Sequence, residues 1–177
     1  MAEQTFTQAL NSHVQHEFAA SQAYLAAAIH YDDLTMPRLA AFFYRQSLEE
    51  RNHAMMIIRY LLDIEAEATV PGVAAPRTAF ADLVEPVRMA LEQERKVTQQ
   101  FNELTAIARA ANDFQGEQFL QWFLKEQVEE VSLMGDLLTV VDRARDRPLE
   151  IEEFLAREGF GEGPEDAAAP PAAGGAI

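Results

Sequence analysis

The stretch LEERNHAMM, Leu48 to Met56, places a carboxylate and an imidazole three residues apart, at Glu50 and His53. On a helix that spacing puts both on one face. Carboxylate oxygens with an imidazole nitrogen are metal-donor chemistry, though Glu-x-x-His alone matches many sequences by chance. The signal sharpens because three more carboxylates, Glu17, Glu94 and Glu130, interrupt other apolar stripes, and Gln127 lies one turn from Glu130. Four Glu, one His and one Gln make an oxygen-rich set with little nitrogen and no sulfur. Such a set disfavours copper and structural zinc and suits iron or manganese.

Four helices must position these groups. Residues 5–32 and 37–64 carry helical periodicity and are separated by DLTM, with Pro37 suited to a first turn. Residues 65–82 hold two prolines and a glycine and read as a loop. Periodicity resumes over 83–111 and 115–142, and a short helix is expected after Pro148 through LEIEEFLA. Each long segment covers roughly 28 residues, about 42 Å at 1.5 Å per residue. The short joins make the first pair and the last pair antiparallel. The middle loop is long enough to cross the bundle, so the second and third helices run parallel. The fold class is all-α, a four-helix bundle with one long crossover and a short C-terminal fifth helix. Residues 1–157 form one domain. Residues 158–177, rich in Gly, Pro and Ala, read as a tail without fixed structure.

Steps of three and four give each helix an inward seam. The first runs Phe6, Leu10, His13, Glu17, Ala20, Tyr24, Ala27, Tyr31, and the second Leu39, Phe43, Gln46, Glu50, His53, Ile57, Tyr60, Ile64. The third runs Val84, Val87, Leu91, Glu94, Thr98, Phe101, Thr105, Ala108, and the fourth Gly116, Leu120, Phe123, Gln127, Glu130, Met134, Leu137, Val141. Seam ends are apolar or aromatic, as a core requires. The middles hold Glu17, Glu50, Glu94 and Glu130, which antiparallel packing brings to one level. Burying an unpaired carboxylate costs several kcal/mol, and no Lys or Arg lies on any seam. A multivalent cation resolves the repulsion. His13 reads as a core histidine rather than a ligand, and Met55, Met56 and Trp122 as packing residues. Glu49, Glu126 and Glu129 flank the seam. Glu126, Glu129 and Glu130 are spaced i, i+3, i+4, and with Glu49 they point to a third metal position, although a solvated acidic face has the same spacing.

Composition sets limits on function. The 177 residues carry 14 Lys+Arg against 29 Asp+Glu, a net charge of −15, which repels nucleic acid and anionic lipid and attracts cations. No apolar run reaches the roughly 18 residues of a membrane span. The first ten residues lack a secretory pattern, so the cytoplasm is the expected compartment. Zero cysteines exclude disulfides, thiolate zinc sites and iron–sulfur clusters.

The stretches VQHEFAASQAYLA, YRQSLEERNHAMM, ALEQERKVT and GEQFLQWFLKEQVEEVSLM resemble the ferritins, specifically the non-haem bacterial type. The resemblance covers about residues 5–157. Inward Glu and Glu-x-x-His ligands are the known donor set of ferritin-like di-iron bundles. The resemblance implies a ferroxidase that oxidises Fe(II) with O2 and deposits ferric mineral inside a homo-oligomeric cage of twenty-four subunits. It implies Glu17, Glu50 and His53 at a first iron, and Glu50, Glu94 and Glu130 at a second, with Glu50 bridging and Gln127 beside the pair. Glu49, Glu126, Glu129 and Glu130 resemble the third site of the prokaryotic group, and Tyr24 its nearby redox-active tyrosine. Bacterioferritins repeat Glu-x-x-His on the fourth helix and place a haem-ligating Met after the second-helix Glu. Here those positions read KEQVEE and Arg51, so haem is not expected. Two rivals stay open: a di-iron oxygenase or peroxidase on the same bundle, and an iron-free structural bundle whose central Glu would face solvent.

Overall fold

A computed structural model describes residues 5–161 and 166–175. Five helices follow in order: α1 (Phe6–Asp33), α2 (Pro37–Asp63), α3 (Glu85–Ala110), α4 (Phe114–Arg143) and α5 (Pro148–Glu158). These are the expected elements, with ends within about two residues of the sequence reading.

Local chemistry sets the boundaries. Thr5 opens α1 with a reciprocal box: the Gln8 N–H donates to Thr5 Oγ1, and the Thr5 N–H donates to Gln8 Oε1. Asp113 opens α4 by accepting from the Gly116 N–H at 2.8 Å. The start of α2 has no side-chain cap of its own. Glu152 of α5 supplies one, accepting from the Arg38 and Leu39 N–H groups at 2.7 and 3.0 Å. The carboxylate thus satisfies two first-turn donors and complements the positive end of the helix dipole.

α1, α2 and α3 end alike. Thr35, Glu65 and Asn112 adopt left-handed φ near +57°, +57° and +55°. The next N–H reaches back to a carbonyl five residues earlier, as Met36 to Tyr31, Ala66 to Leu61, and Asp113 to Ala108. This is the Schellman closure.

The α2–α3 connection follows α1 along most of its length. Asn11 donates to the Glu67 carbonyl and accepts from the Thr69 N–H, and Gln15 donates to the Gly72 carbonyl. Further along, Phe80 packs on His30, and Tyr31 donates its hydroxyl proton to the Leu83 carbonyl. The loop therefore travels from one end of the bundle to the other, and α2 and α3 are parallel.

The core has two apolar halves. One gathers Tyr24, Tyr31, Phe42, Phe43, Leu91, Met134 and Leu137 with Ile151 and Leu155 of α5. The other gathers Phe6, Leu10, Ile57, Phe101, Leu120 and Phe123. Between them lies a polar belt. Nearly every seam position is buried; Tyr60 and Thr98 are partly exposed, and Ile64, just past the end of α2, is exposed.

Residues 166–175 return to the bundle. Asp166 accepts from Trp122 Nε1 at 3.1 Å and from Lys125 Nζ at 3.2 Å. Ala169 and Ala172 pack against the second apolar half, and the Ala173 N–H donates to the Met55 carbonyl at 3.0 Å. Residues 162–165 and 176–177 of the expected tail lie outside the described residues. Among the described residues, no helix is long and apolar enough to cross a membrane.

Candidate metal centre

The polar belt contains Glu17, Gln46, Glu50, His53, Glu94, Gln127 and Glu130, all buried. Among the described residues, the buried set includes no Lys or Arg. The arrangement that the iron-free rival required, with central carboxylates facing solvent, is absent: Glu17 and Glu94 are 0% exposed.

Glu17, Glu50 and His53 converge, each offering one ligand atom within 4.8 Å of the other two. His53 Nδ1 lies 3.5 Å from Glu50 Oε2 and 3.9 Å from Glu17 Oε2. Those separations exceed good hydrogen bonds. Both Glu17 oxygens, Glu50 Oε2 and His53 Nδ1 are buried without a hydrogen-bond partner. Orphaned buried polar atoms are costly, and these four are atoms that a shared cation would engage.

Glu94 is held differently. The Tyr24 hydroxyl donates to its Oε1, and Gln127 Nε2 donates to its Oε2 at 3.3 Å. Thr98 Oγ1 lies 3.0 Å from Gln127 Oε1 and 2.9 Å from the Glu94 carbonyl, joining α3 to α4. Glu50, Glu94 and Glu130, the expected second set, are not gathered as tightly as the first. Glu130 instead joins Glu49 and Glu126 in a second converged group, again within 4.8 Å. Glu130 Oε2 is a further buried oxygen without a partner. Gln46 Nε2 donates to Glu49 Oε2 at 2.7 Å. Glu129 stands apart: its side chain is 63% exposed and lies 3.7 Å from Lys125. A helix turns about 100° per residue, so Glu129 leaves the face that Glu130 occupies.

Electrostatics follow from burial. Desolvation, then the neighbouring Glu17, pushes Glu50 up to about 8. Desolvation and Glu50 likewise push Glu94 to about 8, against the opposing Tyr24 and Gln127 hydrogen bonds. Glu17, Glu49, Glu126 and Glu130 are also raised, chiefly by desolvation. Burial opposes charge on His53, but Glu50, Glu17 and Glu49 outweigh it and hold the imidazole proton up to about 10. The Tyr24 phenol is pushed well up by burial and by Glu94. Without a metal, the belt lowers its charge by retaining protons. A cation can replace them.

Asp113 and Glu117, at the turn between α3 and α4, are engaged locally, one capping α4 and the other accepting from Arg109 at 2.5 Å. Sequence reasoning missed the anchor at Asp166 and the contact between His13 Nε2 and Glu17 Oε1 at 2.7 Å. The i, i+4 spacing of His13 and Glu17 was the available signal for the second. Nothing in the sequence marked the first.

Comparison with known proteins agrees with this fold. Residues 7–144, from α1 through α4, match the family of the ferritin-like domain. Ferritin BfrB of Mycobacterium tuberculosis is 47% identical over 168 residues, covering 95% of this chain and 92% of that one. A bacterial non-heme ferritin of Staphylococcus aureus is 37% identical over 146 residues, covering 82% and 88%. Among solved structures, an open-pore ferritin from Archaeoglobus fulgidus superposes with a TM-score of 0.83 at 23% identity, over 92% of this chain and all of that one. With its α1–α4 core inside the family match and relatives aligned along nearly its whole length, the chain belongs to the ferritin family.

Proposed function

We propose that the protein is a ferroxidase that stores iron: it oxidises Fe(II) with O2 at the buried belt and deposits ferric mineral inside a cage of twenty-four subunits. The observation that carries this reading is the convergence of Glu17, Glu50 and His53, with their buried ligand atoms lacking hydrogen-bond partners. Iron here is substrate and cargo.

The chain's own residues divide the work. Glu17, Glu50 and His53 take one Fe(II). Glu94 and Glu130, reached from the Glu50 side, take a second, with Glu50 shared between them. Each Fe(II) gives one electron to O2. Tyr24 and Gln127 hold Glu94 in place by donating to its two oxygens. The Glu49, Glu126 and Glu130 group lies beside this pair as a third position and a route away from it. Carboxylate-rich ligation suits a site that must release its product. The net charge of −15 favours cation entry and mineral nucleation. We place the protein in the cytoplasm, without haem.

The deciding experiment adds Fe(II) anaerobically to purified protein, admits O2, and follows ferric absorbance together with particle size. We expect rapid oxidation in an assembly of about twenty-four 19.8-kDa chains. A monomer or dimer that leaves iron unoxidised would defeat the proposal.

A further inference from the structure

Gln46 lies on the inward face of α2, 5% exposed, one turn before Glu49 and Glu50. Its Nε2 donates to Glu49 Oε2 at 2.7 Å. Its Oε1 is buried and has no hydrogen-bond partner. Among the described residues, the bond to Glu49 is thus the only one this side chain makes. The oxygen and nitrogen of an amide are about 2.2 Å apart, so Oε1 lies within about 5 Å of the Glu49 oxygen that Nε2 holds. Glu49 in turn offers a ligand atom within 4.8 Å of those of Glu126 and Glu130 on α4. Glu130 Oε2 is likewise buried without a partner. Two orphaned oxygens, one neutral and one from a carboxylate, therefore belong to one neighbourhood.

A buried amide that served only the fold would have both ends engaged, because an unmade bond at a buried polar atom is costly. Gln46 instead ties α2 to itself across three residues and leaves one end open. Its effect is local. A glutamate side chain has several rotatable bonds, and a short bond to a buried donor removes much of their freedom. Glu49 is only partly buried, so without that bond its carboxylate is free to turn toward solvent. Gln127 stands in the same relation to Glu94, donating to it at 3.3 Å.

We propose that Gln46 is a positioning residue for the third position: its amide holds the Glu49 carboxylate where Glu126 and Glu130 can share a cation with it. This rests on the ferroxidase reading above, in which those three groups form a third iron position. Outer partners that orient a ligand are typically worth 10–100-fold in metal affinity.

Gln46→Met keeps the length of the side chain and removes the donor. Gln46→Asn keeps the amide but draws it back by one carbon, so Glu49 must follow it or lose the bond, and either moves the carboxylate. Each full-length variant is sized by light scattering and titrated anaerobically with Zn(II) by calorimetry. Glu49→Ala identifies the class of Zn(II) sites to which Glu49 belongs. We expect Gln46→Met and Gln46→Asn to weaken that class by about tenfold. Combined with Glu49→Ala, Gln46→Met should add no further loss, because a group that acts through another is silent once the other is gone. The metal-free melting midpoint of Gln46→Met should not fall, since the unpaired oxygen leaves with the amide. Unaltered Zn(II) affinity in Gln46→Met, or a lowered midpoint, would overturn the proposal. So would a further loss of Zn(II) binding in the double variant, since Gln46 would then act by packing on other sites. If Gln46→Met does not assemble, Gln46→Asn decides alone: weakened affinity supports the proposal, and unaltered affinity overturns it. Zn(II) binding by Glu49→Ala identical to that of the unaltered protein would instead remove the third position itself, so the two failures are distinguishable.

Discussion

Glu50 is the residue on which the belt's charge balance turns, because it borders His53 on one side and influences Glu94 and Glu130 on the other. Glu50→Ala should slow fast Fe(II) oxidation by about a hundredfold or more, since a shared anionic ligand disappears from both irons. The same variant should melt no lower than the unaltered metal-free protein above pH 8, where a repelling buried charge has been removed. Stopped-flow absorbance and thermal melts read the two effects; oxidation at the wild-type rate would remove Glu50 from the ligand set. Glu126 and Glu129 should separate despite their shared helix. Glu126→Ala should keep the initial oxidation and change the O2 consumed per iron. Glu129→Ala, lost from an exposed pair with Lys125, should change neither. An oxygen-electrode stoichiometry altered equally in both variants would contradict that separation. The seam carboxylates could be read from sequence because a Glu in an apolar stripe has no ordinary reason to be there. Whether Glu129 joined them could not, since i, i+3 spacing leaves its rotamer and its Lys125 partner undetermined.

At the scale of elements, three helix ends use one closure with different residues. Thr35 is the least suited, because a β-branched side chain at φ near +57° is strained by about 1–2 kcal/mol, whereas Asn at this conformation is tolerated. Thr35→Gly should therefore raise stability by about 1 kcal/mol after the extra freedom of the unfolded glycine is subtracted. Asn112→Gly should gain less. Melting curves of metal-free protein test the ranking, and an unchanged or lowered midpoint for Thr35→Gly would show that its side chain has a compensating role. These ends were only partly legible. Pro37 and the AND at 111–113 announced the breaks, but no glycine marked the left-handed residues. The seams were legible nearly throughout, because three-and-four steps track a bundle helix closely over its middle turns. Ile64 failed because the helix had already ended there. The contacts of residues 166–175 were not legible for a different reason: Ala, Pro and Gly have no periodicity to read, and Asp166 gains meaning only from Trp122 and Lys125 in space.

For the molecule as a whole, the belt ties stability to pH with a definite sign. Glu50 and Glu94 are raised to about 8 from 4.5, so the folded state keeps protons that the unfolded chain has released, and stability falls as pH climbs through that window. His53, raised to about 10 from 6.5, acts in the same direction above pH 6.5. His13, lowered by burial to about 3, has the opposite sign below pH 6.5, where the unfolded chain takes the extra proton. Above pH 6.5 only the falling contributions remain. Metal-free protein should therefore melt at lower temperature at pH 8.5 than at pH 6.5. Zn(II) should raise the midpoint more at pH 8.5, because ligands that have shed their protons bind metal without a proton to displace. A flat metal-free profile, or an equal Zn(II) effect at both values, would mean that the belt carboxylates are not protonated in the fold.

Trp122 is the only tryptophan in the chain, and its indole is held between two events. Its Nε1–H donates to Asp166, and its ring meets the His53 ring edge-on at 5.6 Å. The protein thus carries its own optical gauge, with separate dials. A paramagnetic ion at His53, such as Co(II), should dim the emission without moving its colour, whereas Zn(II) should leave the intensity nearly intact. Unseating the tail, as in Asp166→Ala, should admit water to the indole and shift the emission to the red while quenching by Co(II) persists. Loading of the centre and docking of the tail can then be followed in one cuvette, without a label and in real time.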